Sequence, residues 1–397
     1  MCIRDSARIL FSSLPVIMIT ETLFCIWNFQ VFNCYIKFNK IRVKLLSKKK
    51  ICILTSGHPP FDERIFWKFG QSLNENGFSV SIICSTEQIN KTIDEITIKG
   101  FDGYSYNKKK KIDSFYDLIT KSDPDIIICS EMLPVFAALK FKKKSSNAKI
   151  ILDITEWFPE NVAYKFNGVN RWIKYFQLLL PYFYVLQKVD HLIVGEISKK
   201  KRYNLLARSK HKSVVGYYPV LKYFNYKKPD LSKEEIIFGY AGVITFERGI
   251  NKLLQVSISI ADKFPQKKFI LLLFGRFTYQ SEENEFKQKV STINNLEVEF
   301  AEWTEYDKMS LVIERMDICF DLRERNFIYS NSLPIKIFEY MACGKPFIYS
   351  DIKPIRDEID YEKYGFLVNP DNESEICLLY TSPSPRDRTR SRMPSSA

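Results

Sequence analysis

LPIKIFEYMACGKPFIYS, residues Leu333–Ser350, is the stretch that decides the fold. Asn331 or Ser332 suits an N-cap, Pro334 suits the first turn, and Gly344 suits the position after the last one, so the spacing predicts a short capped helix. Ile335, Ile337, Phe338 and Met341 supply its buried faces. A helix N-terminus gathers unpaired N–H groups at the positive end of the helix dipole and favours a phosphate there. Lys336 adds a mobile positive charge, and Glu339 lies nearly two turns along, within reach of ribose hydroxyls if a diphosphate sits at the helix start. Asn331, Ser332, Leu333, Pro334 and Ile335 are therefore candidate contacts for such a ligand. The bland alternative is a plain helix with Glu339 facing solvent.

Around this stretch, short apolar runs alternate with helix-length amphipathic segments. ICILT (51–55), FSVSIIC (78–84), DIIIC (125–129), KIILDI (149–154) and HLIVG (191–195) read as buried parallel strands covered by helices on both faces. The pattern restarts at EIIFGYAG (235–242) and continues through KFILLLFG (268–275), LEVEF (296–300), DICFDL (317–322) and PFIYS (346–350). Two α/β domains are expected, residues 48–219 and 235–376, joined by a polar linker at 220–234. Ligands of paired Rossmann-like domains sit beyond the carboxyl ends of the strands, which predicts a cleft between them. WIKYFQLLLPYFYVLQKV (172–189) reads either as two helices broken at Pro181 and packed on the first sheet, or as a segment lying on a membrane surface.

Both ends read as something other than native protein. MCIRDS (1–6) and CLLYTSPSPRDRTRSRMPSSA (377–397) resemble translated sequencing adapters, and scars of that kind are set aside from fold reasoning. Residues 7–47 form an N-terminal extension of doubtful origin. Within it, Ile9–Phe32 carries only Glu21 as a charge and has the length of a membrane span, followed by basic residues.

The net charge of +13 falls by three without the C-terminal segment, since four arginines there outweigh Asp387. The lysine runs are scattered and lack the aromatic interleaving of a nucleic-acid groove, so no nucleic acid is expected; a membrane surface or a phosphate-bearing substrate fits better. Cys52, Cys84, Cys129 and Cys319 lie in apolar runs with no C-x-x-C pair, as packing cysteines in a reducing cytosol do. With three histidines in the chain, no zinc cluster is expected. Asp123-Pro124-Asp125 invites a D-x-D metal reading, but it precedes a strand where a turn is expected, and no metal is assigned to it.

YSNSLPIKIFEYMACGKPFIYSD resembles the P-x-K-x-F-E-Y-M-A-x-G-K-P signature of family 4 (group 1) glycosyltransferases, which are retaining enzymes of the GT-B fold. The resemblance covers nearly all of 48–376 and implies an α/β, GT-B architecture: two Rossmann-like domains facing across a cleft. It further implies a helix beyond Ile376 that this chain lacks. In the family two glutamates spaced E-x7-E face the donor; Glu339 matches the second, and Asn331 stands at the first. In GYAGVITFERGINKLL, Arg248 fits a basic position that neutralises the leaving diphosphate, while Val243 stands where many members carry another cation. Lys336 would share that task. Gly242, Gly275 and Trp303 are assigned to the donor side with them.

SGHPPFDERIF resembles the family's first loop and helix, which makes Gly57, His58, Asp62 and Arg64 acceptor-side candidates. For Asp62 and Arg64 a helix cap and an ion pair are equally good readings. ILDITEWFPE resembles the family's D-x-H-E segment, with Thr155 in the histidine's place; Glu156 is a candidate for positioning an acceptor hydroxyl, and Thr155 an alternative N-cap.

The resemblance implies a retaining transfer of sugar from UDP or GDP to a saccharide or polyprenyl-linked acceptor, without a cofactor, in surface polysaccharide assembly. The location expected is cytoplasmic, at the inner membrane face. A non-hydrolysing sugar-nucleotide epimerase and a catalytically inactive sugar-nucleotide-binding protein are the alternatives.

Overall fold

The computed structural model describes residues 48–145 and 147–380. The apolar stretch 9–32, MCIRDS and residues 381–397 lie outside the described residues. The chain divides into two compact units between Gly216 and Tyr217.

The first unit holds strands β1 (Lys50–Thr55), β2 (Ser79–Cys84), β3 (Ile89–Ile93), β4 (Ile96–Gly100), β5 (Ile126–Cys129), β6 (Lys149–Ile154), β7 (His191–Val194) and β8 (His211–Val214). They form one sheet in the order β3-β4-β2-β1-β5-β6-β7-β8, parallel throughout except for the β3–β4 hairpin. Its helices are α1 (Glu63–Gly70, π-helical, running on as Gln71–Glu75), α2 (Lys108–Ser122), α3 (Met132–Lys142), α4 (Glu160–Ala163), α5 (Gly168–Lys188) and α6 (Ile197–Leu206). Alternation along β1 sends Ile51 and Ile53 to the face covered by Ile65, Phe69 and Leu73 of α1. Cys52 and Leu54 join the opposite core with Phe115, Val185 and Tyr203. Helix α5 runs unbroken through Pro181, so the expected pair of helices is one.

The second unit has β9 (Glu235–Ala241), β10 (Lys268–Phe274), β11 (Glu297–Ala301), β12 (Ile318–Asp321), β13 (Phe347–Ser350) and β14 (Gly365–Val368). All are parallel, in the order β11-β10-β9-β12-β13-β14. Helices α7 (Ile250–Lys263), α8 (Gln280–Val290), α9 (Met309–Ile313), α10 (Phe327–Asn331), α11 (Ile335–Ala342), α12 (Lys353–Glu358) and α13 (Glu373–Tyr380) connect or cover them. Ile250, Leu253 and Ile260 of α7 bury against Phe238 and Tyr240 of β9.

All ten apolar runs picked from the sequence form strands. Two boundaries differ. Residues 220–234 are docked onto the second unit: Val220 N–H donates to the Tyr306 hydroxyl (3.0 Å), Asn225 N–H to Ser310 Oγ (2.9 Å) and Lys227 N–H to the Cys343 carbonyl (3.0 Å). Helix α13 runs across the 376/377 boundary, with Ile376 and Cys377 both in the core of this unit. Among the described residues no helix is long and apolar enough to cross a membrane.

In each sheet the chain leaves a central strand in one direction and later returns on its other side. These reversals fall between β1 and β5 in the first unit and between β9 and β12 in the second. A crevice opens at such a point beyond the strand ends, and that is where the polar clusters of this protein lie.

Candidate donor and acceptor sites

In the second unit, the loops leaving β9 and β10 cross in direct backbone contact. Gly275 has φ +155°, and a Cβ there would lie 1.8 Å from the Gly242 carbonyl oxygen, so no other residue fits without moving that loop. The β9 loop continues into a single turn, Phe246–Arg248, capped by the Thr245 side chain. It closes on Gly249 at φ +79°, where a Cβ would fall 1.9 Å from the Leu322 carbonyl oxygen. That approach sets Arg248 beside the end of β12.

The end of β12 carries the centre of the cluster. Asp321 is fully buried and accepts two hydrogen bonds from the Arg323 guanidinium (2.9 and 2.7 Å), while Lys336 Nζ lies 3.0 Å from the same carboxylate. Burial alone would raise the Asp321 pKa, but the two cations hold it well below the usual carboxylate range. Burial opposes charge on Arg323, and Asp321 overrides it to raise the guanidinium pKa further. Arg323 sits over the rings of Tyr329 and Tyr349 (both 5.1 Å), Arg248 over Tyr329 (5.9 Å) and Lys336 over Tyr240 (3.8 Å). Arg323 and Lys336 thus hold the Asp321 carboxylate, and Arg248 joins them across the Tyr329 ring.

Helix α11 begins at Ile335, two to three residues later than the sequence reading places it, with Pro334 as its N-cap and not in its first turn, and Gly344, at φ +73°, follows its end as expected. The cap assignment is corrected. Asn331 and Ser332 close the preceding helix α10 instead: Asn331 Nδ2 donates to the Phe327 carbonyl (2.7 Å) and Ser332 Oγ to that of Ile328 (2.8 Å). Lys336 is corrected too, being buried and paired and not mobile. Glu339, one turn further along the same helix, is 4% exposed, and Leu333 and Pro334 are buried at its start, with Ile335 half-buried. Trp303 is 48% exposed and stacks on Phe274 (5.7 Å between centroids), with Arg276 above it, next to the Gly242–Gly275 crossing. Val243 is exposed.

In the first unit the equivalent crevice holds the loop after β1. The Glu131 carboxylate, just past β5, accepts from Ser56 N–H (2.8 Å), Gly57 N–H (3.2 Å) and Thr55 Oγ1 (3.1 Å). His58 lies between two carboxylates, Asp62 at 3.1 Å and Glu131 at 3.6 Å. The hydrogen bond that His58 donates to Asp62 outweighs partial burial, and with the nearby charges of Asp62, Glu131 and Glu156 it pushes the His58 pKa up to about 9. The imidazole is therefore cationic at neutral pH. Glu156 is exposed, with Asn161 Nδ2 at 3.4 Å.

For Arg64 and Asp62 the structure shows the ion pair and the helix cap that the sequence also offered. Arg64 is 5% exposed and makes a bidentate pair with Asp153 (2.6 and 2.7 Å), further fixed by the Val215 carbonyl (3.3 Å), so its guanidinium holds the end of β6 to α1 and does not face a ligand. Asp62 is the N-cap of α1, accepting from the Arg64 and Ile65 amides, as well as the partner of His58. Thr155 caps no helix, since α4 starts after Pro159; its carbonyl accepts from the buried Lys199. Asp123 and Asp125 serve the opposite end of the sheet, where Asp125 accepts from Lys50 N–H (2.8 Å) and Asp123 caps α2 in a left-handed conformation. Burial pushes the thiols up, Cys52 to about 12 and Cys343 to about 11, in keeping with packing roles.

Sequence reasoning missed Glu131, Asp321 and Arg323. The signal was present: Asp321 ends the buried run of β12, and Arg323 and Glu131 each stand two residues past a buried strand, at the carboxyl edge where the sheet reverses.

This architecture is the GT-B fold. A sucrose-phosphate synthase from Thermosynechococcus elongatus superposes with a TM-score of 0.64 at 15% identity, covering 87% of this chain and 90% of its own. The Anabaena protein HepE, solved with UDP and glucose, gives 0.60 at 13% identity over 84% of this chain and 89% of its own. Residues 223–378 match the family described as "Glycosyl transferases group 1", so the second unit is a group 1 glycosyltransferase domain. An uncharacterized glycosyltransferase of Methanocaldococcus jannaschii is 24% identical over 288 residues, a match that spans 64% of this chain and 65% of that relative's length.

Proposed function

We propose that the protein moves a sugar from UDP or GDP to a saccharide or polyprenyl-linked acceptor, with retention of anomeric configuration, at the cytoplasmic face of a membrane during surface polysaccharide assembly. The observation that carries this reading is the cluster of Arg248, Arg323 and Lys336 at the β9–β12 reversal, one helical turn from the carboxylate of Glu339. Negative charge grows on the leaving diphosphate as the bond from the sugar C1 to its oxygen breaks, and fixed cations in a buried setting stabilise that charge. Glu339 accepts hydrogen bonds from the ribose hydroxyls. The exposed Trp303 face receives the base.

The C1–O bond breaks with its electron pair going to the diphosphate. The acceptor oxygen attacks C1 from the same face, and its proton passes to a leaving phosphate oxygen, so no protein base is required. His58⁺ and Glu156 hold the acceptor. The likeness to a protein solved with UDP and glucose supports a nucleoside-diphosphate sugar as donor.

The test is calorimetric titration of UDP and GDP into the wild type and Glu339→Ala. Loss of a hydrogen bond to a charged group should weaken binding by roughly tenfold or more. Equal affinity in the variant would remove the ribose role, and inversion at C1, read by NMR of the product, would overturn retention.

A further inference from the structure

Helix α5 presents two apolar stripes. Tyr182, Val185 and Leu186 pack into the core of the first unit. On the other side Val169, Trp172, Phe176, Leu180 and Phe183 are 47–73% exposed. At roughly 100° per residue these five fall within about 80° of the helix circumference and run for about 21 Å along it. An exposed stripe of this size and regularity marks an interaction face, and its chemistry narrows the partner.

The segment from Asn161 to Val189 contains no Asp or Glu but carries Lys165, Arg171, Lys174 and Lys188. Lys174 and Lys188 lie over the rings of Phe166 and Tyr184, both on one side of the helix, roughly 120° and 80° round from the nearer edge of the stripe. Trp and Tyr beside Phe and Leu, in a segment whose charges are all positive, is the composition of a helix lying in the headgroup region of a bilayer. A partner protein would require shape complementarity. A lipid surface requires only a continuous apolar stripe on a helix of positive charge, and that is what α5 offers.

We infer that α5 is a membrane-docking element that seats its Val169–Phe183 stripe in the interface of an anionic bilayer. The inference rests on the proposed transfer to a lipid-linked acceptor for its purpose, though not for its geometry.

Flotation of the whole protein with vesicles tests it, comparing phosphatidylcholine alone with mixtures containing about one third phosphatidylglycerol. The wild type should float with the anionic vesicles and less so at high salt. Phe176→Glu/Leu180→Glu alters only exposed positions and should reduce flotation roughly tenfold or more, with circular dichroism and thermal midpoint unchanged. Lys174→Glu/Lys188→Glu should remove the preference for anionic lipid.

Undiminished flotation of Phe176→Glu/Leu180→Glu would overturn the inference and locate attachment elsewhere, residues 7–38 included. So would the absence of wild-type flotation, or a dimer in light scattering that this variant splits. UDP titration of the same samples separates the two readings: flotation without nucleotide binding defeats the transferase reading alone, and nucleotide binding without flotation defeats the docking element alone.

Discussion

At the residue scale the chain's chemistry rests on carboxylates and the cations they hold. Asp321 is held by Arg323 two positions on and by Lys336 on the next long helix. Replacing Arg323 by Met would leave a buried charge half-compensated. We expect a loss of about 3–5 kcal/mol in urea unfolding, together with weaker nucleoside-diphosphate binding. Because the Asp321 pKa is depressed on folding, its contribution to stability is present above the ordinary carboxylate value and disappears as pH falls through the lower folded value. His58 behaves in the opposite sense. Its pKa rises from 6.5 to about 9 on folding, so its stabilisation is complete below 6.5 and is lost as pH climbs through about 9. NMR titration of the His58 ring should place its midpoint near that value, and His58→Gln should flatten the stability profile between the two. A midpoint near 6.5 would show that Asp62 and Glu131 do not hold the ring as described.

At the scale of elements, most of the strands were legible because a parallel sheet covered on both faces demands continuous apolar runs, as in IIIC and KFILLLF. β3 was not, since INKTI is an edge strand with three exposed positions and carries no such run. The cap of α11 was misread for a related reason: Asn331 and Ser332 are good cap residues, but their side chains are committed to the turn behind them. Asp321 and Arg323 stood at a strand end in plain view, yet their pairing with Lys336 depends on β12 and α11 meeting in space, which no spacing rule reports. The turn at Gly249 is the element-level device that brings Arg248 to them. Gly249→Ala forces a side chain into left-handed backbone and against the Leu322 carbonyl, so it should cost more than about 1 kcal/mol and should lower donor affinity along with stability. A variant that loses stability but keeps affinity would show that Arg248 is positioned by other contacts.

At the scale of the whole molecule, the chain is two α/β units with polar clusters at equivalent points of their sheets. That duplication was readable from the restart of the apolar pattern at residue 235. The division at 216/217 was not, because the intervening polar segment looks like a spacer and is instead hydrogen-bonded to the second unit. A ligand that binds the folded second unit should stabilise it by mass action, about 2.7 kcal/mol at a hundred times its dissociation constant. Hydrogen exchange with saturating UDP or GDP should therefore slow at 242–249 and 321–339. Protection confined to the first unit would move the nucleotide away from the β9–β12 reversal.

The shared carboxylate of Asp321 also bears on how a ligand would be received. Freezing a free Lys or Arg side chain costs up to about 2 kcal/mol of rotamer entropy. Arg323 and Lys336 are immobilised by the protein itself, one by a bidentate pair and the rings of Tyr329 and Tyr349, the other by the same carboxylate and Tyr240. Most of that ordering is completed when the chain folds, so an arriving diphosphate meets charges that need not search for it.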